Sequence, residues 1–225
     1  IDPSRRTGGK RTLDARAMSP SLETAEELLR GVPRGAAKLP SSIRTGDISI
    51  PHELEWVSLE GGLKEATLWK GEFRRCAASV SLLHKNAFLR DDELPPDEAE
   101  TGAPGAFLHE PDPALIRSGL LGRKAASLGM RLIDREIAYT FTDAPVRDPF
   151  FNTWRTLEIM PFNLKRLKAA LHAMGAGIIT VKKRGFPLSP EEVIRKLKLK
   201  GSGSATVVLT RRGGEHLALI IEATS

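Results

Sequence analysis

The sequence predicts an α/β protein of two units, in which the end of a doubly wound sheet is followed by a smaller α/β unit. Three features predict this class. A helix, a strand and an antiparallel cluster come first, a stretch rich in proline and acid follows, and a second helix–strand series ends in a hairpin. The 225 residues suffice for two ordinary domains, and a composition of 40% hydrophobic and 28% charged residues is typical of globular proteins.

The first helix is predicted to begin near Ser19 and to stop at Gly31. Ser19 can cap it, Pro20 suits its first position, and Gly31 precedes a further stop at Pro33. Its apolar stripe consists of Leu22, Ala25, Leu28 and Leu29.

Strands dominate the rest of the first unit. A short strand is predicted over residues 35–39, and two longer ones over 54–59 and 63–69 are joined at Gly61-Gly62 as a hairpin. A further strand covers residues 75–83. Such an antiparallel cluster often ends a doubly wound sheet.

The middle of the chain is predicted to be a linker. Residues 90–106 contain Pro95-Pro96 and Pro104, and no apolar period continues through them. The predicted domains are therefore residues 1–94 and 107–225, joined by residues 95–106.

Helices and strands alternate in the second unit. One helix is predicted over residues 113–128 with Asp112 as its cap, and two others begin after Asn163 and Ser189. The predicted strands cover residues 137–142, 157–161, 177–183, 205–210 and 217–222, and the last two form a hairpin across Gly213-Gly214.

Charge is distributed unevenly along the chain. The net charge is +6, and from Pro161 onward twelve basic residues accompany only four acidic ones. This asymmetry favours a polyanionic partner such as nucleic acid, although lysine-rich helices that merely face solvent would give the same pattern.

Cysteine and histidine usage limits the possible chemistry. The single cysteine, Cys76, cannot form an internal disulfide and suggests a reducing cytoplasm, and it excludes the usual cysteine-based zinc sites. No histidine pairs with a second ligand at helical spacing, so we expect no metal. The longest apolar runs are too short to cross a membrane.

The segment Asp2-Pro3-Ser4-Arg5-Arg6 could carry catalysis. We expect it to follow a buried strand that lies before Ile1, at the sheet edge where open α/β sheets bind ligands. Asp2 could orient or deprotonate an acceptor, Pro3 would stiffen the loop, and Arg5 and Arg6 could hold a phosphate. The alternative is an ordinary Asp-Pro turn.

This segment resembles the Asp-Pro-X-Arg-Arg-X-Gly-Gly loop of bacterial class I S-adenosylmethionine-dependent methyltransferases that end in a THUMP-like domain. Three further stretches, residues 108–117, 157–165 and 179–185, carry the resemblance along most of the chain. It implies the C-terminal half of a Rossmann-like methyltransferase sheet followed by a THUMP-like domain. The residues that bind S-adenosylmethionine would then lie upstream of Ile1.

The resemblance is incomplete at the acceptor loop. Many base and amine methyltransferases have a second proline and then an aromatic residue, where this chain has Ser4 and Arg5. RNA uracil methyltransferases use a cysteine after the next strand, but residues 39–43 contain none, and Cys76 is predicted to be a core thiol. A covalent uracil mechanism is therefore rejected.

A second candidate site is a basic cluster in the THUMP-like unit. Lys182, Lys183 and Arg184 end a predicted strand, and Lys165 and Arg166 lie on the helix before it. Since the THUMP module is associated with RNA binding, the resemblance implies that these residues contact an RNA substrate.

The predicted function is thus methyl transfer from S-adenosylmethionine to RNA by the intact protein. Two alternatives remain open. One is an RNA-binding protein with a degenerate catalytic half, and the other is a methyltransferase for protein or small molecules whose basic unit only packs against the catalytic one.

Overall fold

The computed structural model describes residues 1–4, 6, 7, 10, 11 and 14–224. The chain forms two compact units, each with its own sheet. Unit 1 comprises Ile1–Asp97 and Asp112–Lys124, and unit 2 comprises Glu98–Pro111 and Ala125–Ser225. The mixed α/β class predicted from the sequence is confirmed.

Unit 1 contains a two-stranded ribbon, a five-stranded sheet and two short helices. Its strands are β1 (Arg6–Thr7), β2 (Lys10–Arg11), β3 (Arg34–Leu39), β4 (Glu53–Leu59), β5 (Gly62–Gly71), β6 (Ala78–Leu82) and β7 (Ala87–Arg90). Its helices are α1 (Leu22–Arg30) and α2 (Pro113–Arg117).

The sheet of unit 1 has the order β3-β5-β4-β6-β7. Strand β5 is antiparallel to both of its neighbours, whereas β4 and β6 run parallel. Helix α2 packs on β4, β5 and β6, and its Leu115 is fully buried, as are Leu54 and Trp56 of β4. The core of unit 1 is therefore completed by residues from Asp112–Lys124, which follow the first segment of unit 2, Glu98–Pro111, in the sequence.

The β4–β5 hairpin turns one residue earlier than predicted. Glu60 and Gly61 both have positive φ angles, of 55° and 70°, while Gly62 already belongs to β5. Two successive positive φ angles match the twist of the flanking strands, which explains a glycine in the second turn position.

Unit 2 contains a seven-stranded sheet and two helices. Its strands are β8 (Phe107–Pro111), β9 (Arg131–Asp134), β10 (Ile137–Thr142), β11 (Phe151–Pro161), β12 (Ala176–Lys183), β13 (Gly203–Arg212) and β14 (Glu215–Ala223). Helix α3 (Leu121–Ser127) contains the boundary between the units, and α4 (Leu164–Ala173) and α5 (Pro190–Leu197) lie within unit 2.

The sheet of unit 2 has the order β12-β13-β14-β11-β8-β10-β9, and β12 and β13 are its parallel pair. Helices α4 and α5 pack on β12 and cover one face, whose core includes Leu167, Val193 and Leu209. The opposite face has a separate core that includes Tyr139 and Leu219. Side chains that alternate along these strands therefore enter different environments.

Local capping signals fix the two helices of unit 2 as predicted. Asn163 accepts hydrogen bonds from the backbone N–H groups of Lys165 and Arg166. Ser189 and Glu192 form a reciprocal capping box, with Pro190 at the first helical position.

The helix predicted over residues 113–128 is two helices instead. Gly119, with a φ angle of 76°, lies in the break between α2 and α3, and the helical pattern cannot continue through that conformation.

The proline-rich middle segment is hydrogen-bonded and does not resemble a free linker. Leu132 of β9 exchanges backbone hydrogen bonds with Glu100 and Gly102, at 2.9 and 2.8 Å. In unit 1, the Arg123 guanidinium donates to carbonyl oxygens that include that of Pro95, at 2.7 Å. The predicted domain limits of 94 and 107 remain a prediction; the compact units part between Asp97 and Glu98, and residues 112–124 pack in unit 1.

None of the helices in the described part of the chain combines the length and hydrophobicity needed to cross a bilayer.

Candidate functional site

The Asp2 loop begins beside strand β3. The Ile1 nitrogen donates to the carbonyl oxygen of Ala36 at 2.7 Å, and the Lys38 N–H donates to the carbonyl oxygen of Ile1 at 3.0 Å. Two such bonds from one residue to positions on either side of Ala37 are the pattern of parallel strands. Asp2 therefore lies at the carboxyl end of β3, at the kind of edge predicted from the sequence.

The backbone of the loop is fixed on its other side as well. Ser4 and Ser19 exchange two backbone hydrogen bonds of 2.8 and 3.0 Å, and Pro3 is buried between these anchors. The Asp2 side chain is exposed, and its carboxylate makes no hydrogen bond or ion pair with any residue that the structure describes. A free carboxylate on a fixed backbone can accept a proton or a hydrogen bond from a ligand.

The side chains of the two arginines predicted to hold substrate are not among the described parts of the chain. Arg5 lies outside the described residues, and so does the side chain of Arg6. Their predicted role therefore stays a prediction.

A cavity of about 290 Å³ lies between α1 and the segment that follows β3. Ser42 and Ile43 line it at the carboxyl end of β3, and the other side carries carboxylates, among them Glu23 and Glu26. Glu26 is buried and accepts two hydrogen bonds from Ser49, so its orientation is fixed. The lining is better suited to a neutral or cationic group than to a phosphate.

Cys76 is a buried core thiol, as the sequence predicted. Burial, reinforced by the nearby Glu53 carboxylate, raises the pKa of Cys76 to about 12. The thiol stays protonated at neutral pH, which leaves it unsuited to act as a nucleophile.

The predicted basic cluster of unit 2 is divided between two faces of the sheet. Lys182 donates to the Glu110 carboxylate at 2.7 Å, and its ammonium lies 5.2 Å from the centre of the Trp154 ring. Arg184 lies over the Tyr139 ring at 5.1 Å. Both cations therefore point to the face without helices, where they interact with other residues of the chain.

Burial raises the pKa of Tyr139 to about 12, and the Glu110 charge adds to this effect. The phenol therefore remains neutral beneath the Arg184 guanidinium, and its ring packs in the core on that face. The ion pair between Lys182 and Glu110 joins two of the stretches that carried the family resemblance, residues 179–185 and 108–117.

Lys183 lies on the other face, where its ammonium donates to the Phe186 carbonyl oxygen at 3.3 Å. Lys165 and Arg166 are exposed on α4, the helix that covers this same face. The structure thus brings Lys165, Arg166 and Lys183 to the helix-covered side, and it does not bring Lys182 and Arg184 there.

We call the exposed cations on and just after α4 and α5 the helical basic surface. Among the described residues, none of their side chains forms an ion pair or hydrogen bond within the chain. The members are Lys165, Arg166, Lys168, Arg195, Lys196, Lys198 and Lys200. Cations without internal partners can exchange their counterions for phosphates.

His109 has a structural role that no sequence pattern indicates. The ring is fully buried in β8, with its nitrogens 2.9 Å from Thr153 Oγ1 and 2.7 Å from Thr142 Oγ1. Burial lowers the pKa of His109 to about 4. The neutral ring joins β8 to β10 and β11, and the alternation of a single strand gives no signal of these partners.

This burial predicts that unit 2 is less stable in acid. The folded-state pKa of about 4 lies below the ordinary value of 6.5, so between these values the unfolded chain binds a proton that the folded chain excludes. The contribution of the neutral His109 ring to the free energy of unfolding is fully present above pH 6.5. It is lost as the pH falls toward 4, by at most about 1.4 kcal/mol per pH unit. Urea unfolding at several pH values measures this slope.

The matched variants are His109→Gln and His84→Gln, because His84 is exposed. His109→Gln should flatten the acid slope, whereas His84→Gln should keep it. An unchanged slope in His109→Gln would assign the acid sensitivity to other groups.

Residues 152–223 match the family described as THUMP domain-like. The matched segment begins in β11 and ends in β14, so it includes α4, α5 and the helical basic surface.

Curated relatives extend the similarity across both units. Two proteins of Mycobacterium tuberculosis, from strains CDC 1551 / Oshkosh and ATCC 25618 / H37Rv, are each 31% identical to the chain over 223 residues. Both are named as uncharacterized S-adenosylmethionine-dependent methyltransferases. The match covers 97% of this chain and 61% of each relative, so the chain spans less than two thirds of their length.

A solved structure shows the same fold. The crystal structure of a "putative methyltransferase" from Porphyromonas gingivalis W83 superposes with a TM-score of 0.77, at 23% identity, over 100% of this chain and 59% of that one. The chain is thus a homologue of proteins named as S-adenosylmethionine-dependent methyltransferases, and its residues 152–223 are similar to the THUMP domain-like family.

Proposed function

We propose that the chain is the C-terminal part of an S-adenosylmethionine-dependent methyltransferase that acts on RNA. In this proposal the Asp2 loop adjoins the methyl acceptor and the THUMP-like domain contacts the RNA. The observation that carries it is the exposed Asp2 carboxylate, which has no hydrogen-bond or ion-pair partner among the described residues and is held on a doubly anchored backbone at the carboxyl edge of β3.

The described residues fit the acceptor side of such a site and not the cofactor side. No strand among them leads through a glycine-rich loop into a helix, the arrangement that binds a nucleotide-like cofactor. The relatives are longer than this chain, which is consistent with a cofactor-binding part outside it. When bound, S-adenosylmethionine supplies an electrophilic methyl group on a sulfonium sulfur.

The chain's own residues would position the acceptor and manage its proton. Asp2 can accept a hydrogen bond or a proton from an amine or ring nitrogen, while the buried Pro3 limits movement of the loop. Because the methyl donor is already activated, alignment of the acceptor accounts for most of the catalytic effect.

RNA is favoured over other acceptors by the helical basic surface. Seven exposed cations on one side of the THUMP-like domain form no ion pair or hydrogen bond with the described residues. Such a surface can follow a phosphate backbone. A second candidate, a methyltransferase for a small amine, is favoured by the carboxylate-lined cavity beside β3.

Calorimetric titration with S-adenosylmethionine tests the proposal. We expect no binding to the 225-residue chain and saturable binding to the full-length protein that contains it. Absence of binding to the full-length protein would contradict the proposal and favour an RNA-binding protein with a degenerate catalytic half.

A further inference from the structure

A second candidate binding site lies on the sheet face of unit 1 that α2 does not cover. A groove of about 300 Å³ crosses this face. Strand β4 contributes Glu53 and Glu55 to it, Trp69 and Phe73 line it beside β5, and Phe88 lines it from β7. The groove therefore combines aromatic walls with carboxylates from the central strand.

The aromatic rings are arranged as walls and are accessible. Trp69 and Phe73 stand almost perpendicular, at 86°, with centroids 6.2 Å apart. Phe73 is 45% exposed and Phe88 is 48% exposed, whereas Phe141 in the core of unit 2 is fully buried. Accessible ring faces attract cations, because the π-electrons make them negative.

The two glutamates of β4 are bound only by neutral donors. Glu53 is 4% exposed and accepts from the backbone N–H groups of Arg75 and Cys76 and from the Ser79 hydroxyl, which lies at 2.6 Å. Glu55 accepts from Trp69 Nε1 at 2.8 Å and from the Ser81 hydroxyl.

Neither glutamate forms an ion pair with a described residue. A buried carboxylate is normally paired with a cation, because its charge is costly to remove from water. Among the described residues, the lining holds three carboxylates, those of Glu53, Glu55 and Glu72, and one cation, Arg75. Even with Arg34 paired to Glu72 at the rim, negative charge is in excess.

An internal cation already uses this chemistry at the rim of the groove. The Arg34 guanidinium lies 5.7 Å from the centre of the Phe73 ring and forms an ion pair of 3.0 Å with Glu72. It shows that one ring of the groove, with an adjacent carboxylate, accommodates a guanidinium group.

We propose that this groove binds an organic cation, either an alkylammonium or a guanidinium group. The ligand would place its charged group against Trp69, Phe73 or Phe88 and direct it toward Glu53 and Glu55. A free amine and the side chain of a lysine or arginine share this chemistry. The site is distinct from the Asp2 loop, because the strand register places Trp69 beside Ala36 and Glu53, whereas the carboxyl end of β3 pairs with Ala66.

The indole N–H signal of Trp69 in nuclear magnetic resonance spectra gives a direct readout. It is assigned with Trp69→Phe in the intact protein, and the probes are choline and its uncharged isostere, in which a tert-butyl group replaces the trimethylammonium group. We expect choline to shift the signal saturably and the isostere to bind more weakly. Phe73→Ala and Glu55→Gln should each weaken choline binding about two- to fivefold.

Leu83→Ala is the matched control, because Leu83 is a 60% exposed apolar residue of unit 1 that does not line the groove. It should leave choline binding unchanged. Equal binding of choline and the isostere, or insensitivity to Glu55→Gln, would overturn the proposal and leave an apolar groove. Because S-adenosylmethionine and RNA are absent from the titration, the result does not depend on methyl transfer.

A lysine amide used as a third probe separates the two sources of the ligand. Tighter binding of the lysine amide than of choline would indicate a protein side chain, and the reverse order would indicate a free quaternary amine.

Discussion

Asp2→Ala in the full-length protein is expected to abolish methyl transfer while S-adenosylmethionine still binds. The reason is the geometry of the loop, whose backbone is anchored by β3 and by Ser19 while the carboxylate has no partner among the described residues. Removing it should not disturb the fold, but it removes the group that orients the acceptor. Loss of a positioned acid or base typically costs about 10²–10⁴-fold in rate.

Three measurements on one preparation make the test decisive: cofactor binding by calorimetry, thermal unfolding, and transfer of a labelled methyl group to total RNA. Asp2→Asn, which keeps the size and removes the charge, should resemble Asp2→Ala. Glu27→Gln is the control, because Glu27 is exposed on α1 and lies outside the loop. Turnover retained by Asp2→Ala would remove Asp2 from the site.

Charge reversal on the helical basic surface is expected to weaken RNA binding strongly. The double variant Lys165→Glu/Arg166→Glu replaces two exposed cations at the start of α4. For every phosphate that a side chain no longer neutralises, the slope of log affinity against log salt should fall by about one, and the two changes together should reduce affinity about tenfold or more at moderate salt. Fluorescence anisotropy over a salt series measures both quantities.

The control is Lys64→Glu/Arg212→Glu, which changes the net charge equally at exposed positions away from α4 and α5. It should retain most of the affinity and the original salt slope. If both double variants weakened RNA binding equally, the interaction would be a general attraction to a basic protein, and the helical basic surface would not be an RNA site.

Local signals made the helices of unit 2 predictable. A capping residue followed by acidic or apolar residues at helical spacing determines where α4 and α5 begin. The first backbone N–H groups of a helix have no partner within the helix, so they must find one among the same few residues. The position of the Asp2 loop has no such local signal, because it is set by backbone hydrogen bonds to Ala36 and Lys38, which lie more than 30 residues further along the chain.

The division of the basic cluster could not be predicted from the sequence. Lys182 and Lys183 are adjacent, and a strand sends adjacent side chains to opposite faces. Which face carries helices depends on the packing of α4 and α5, so only the structure shows that Lys182 pairs with Glu110. His109 was missed for the same reason, because its threonine partners lie 33 and 44 residues away.

The placement of α2 has a consequence for synthesis. Unit 1 completes its core only when Ala114 and Leu115 join β4, β5 and β6, and by then β8 of unit 2 has already left the ribosome. Domains of larger proteins usually fold one after another as they emerge. The unpaired β8 is therefore exposed while unit 1 closes, so a pause in translation once α2 has emerged from the ribosomal exit tunnel would favour correct folding.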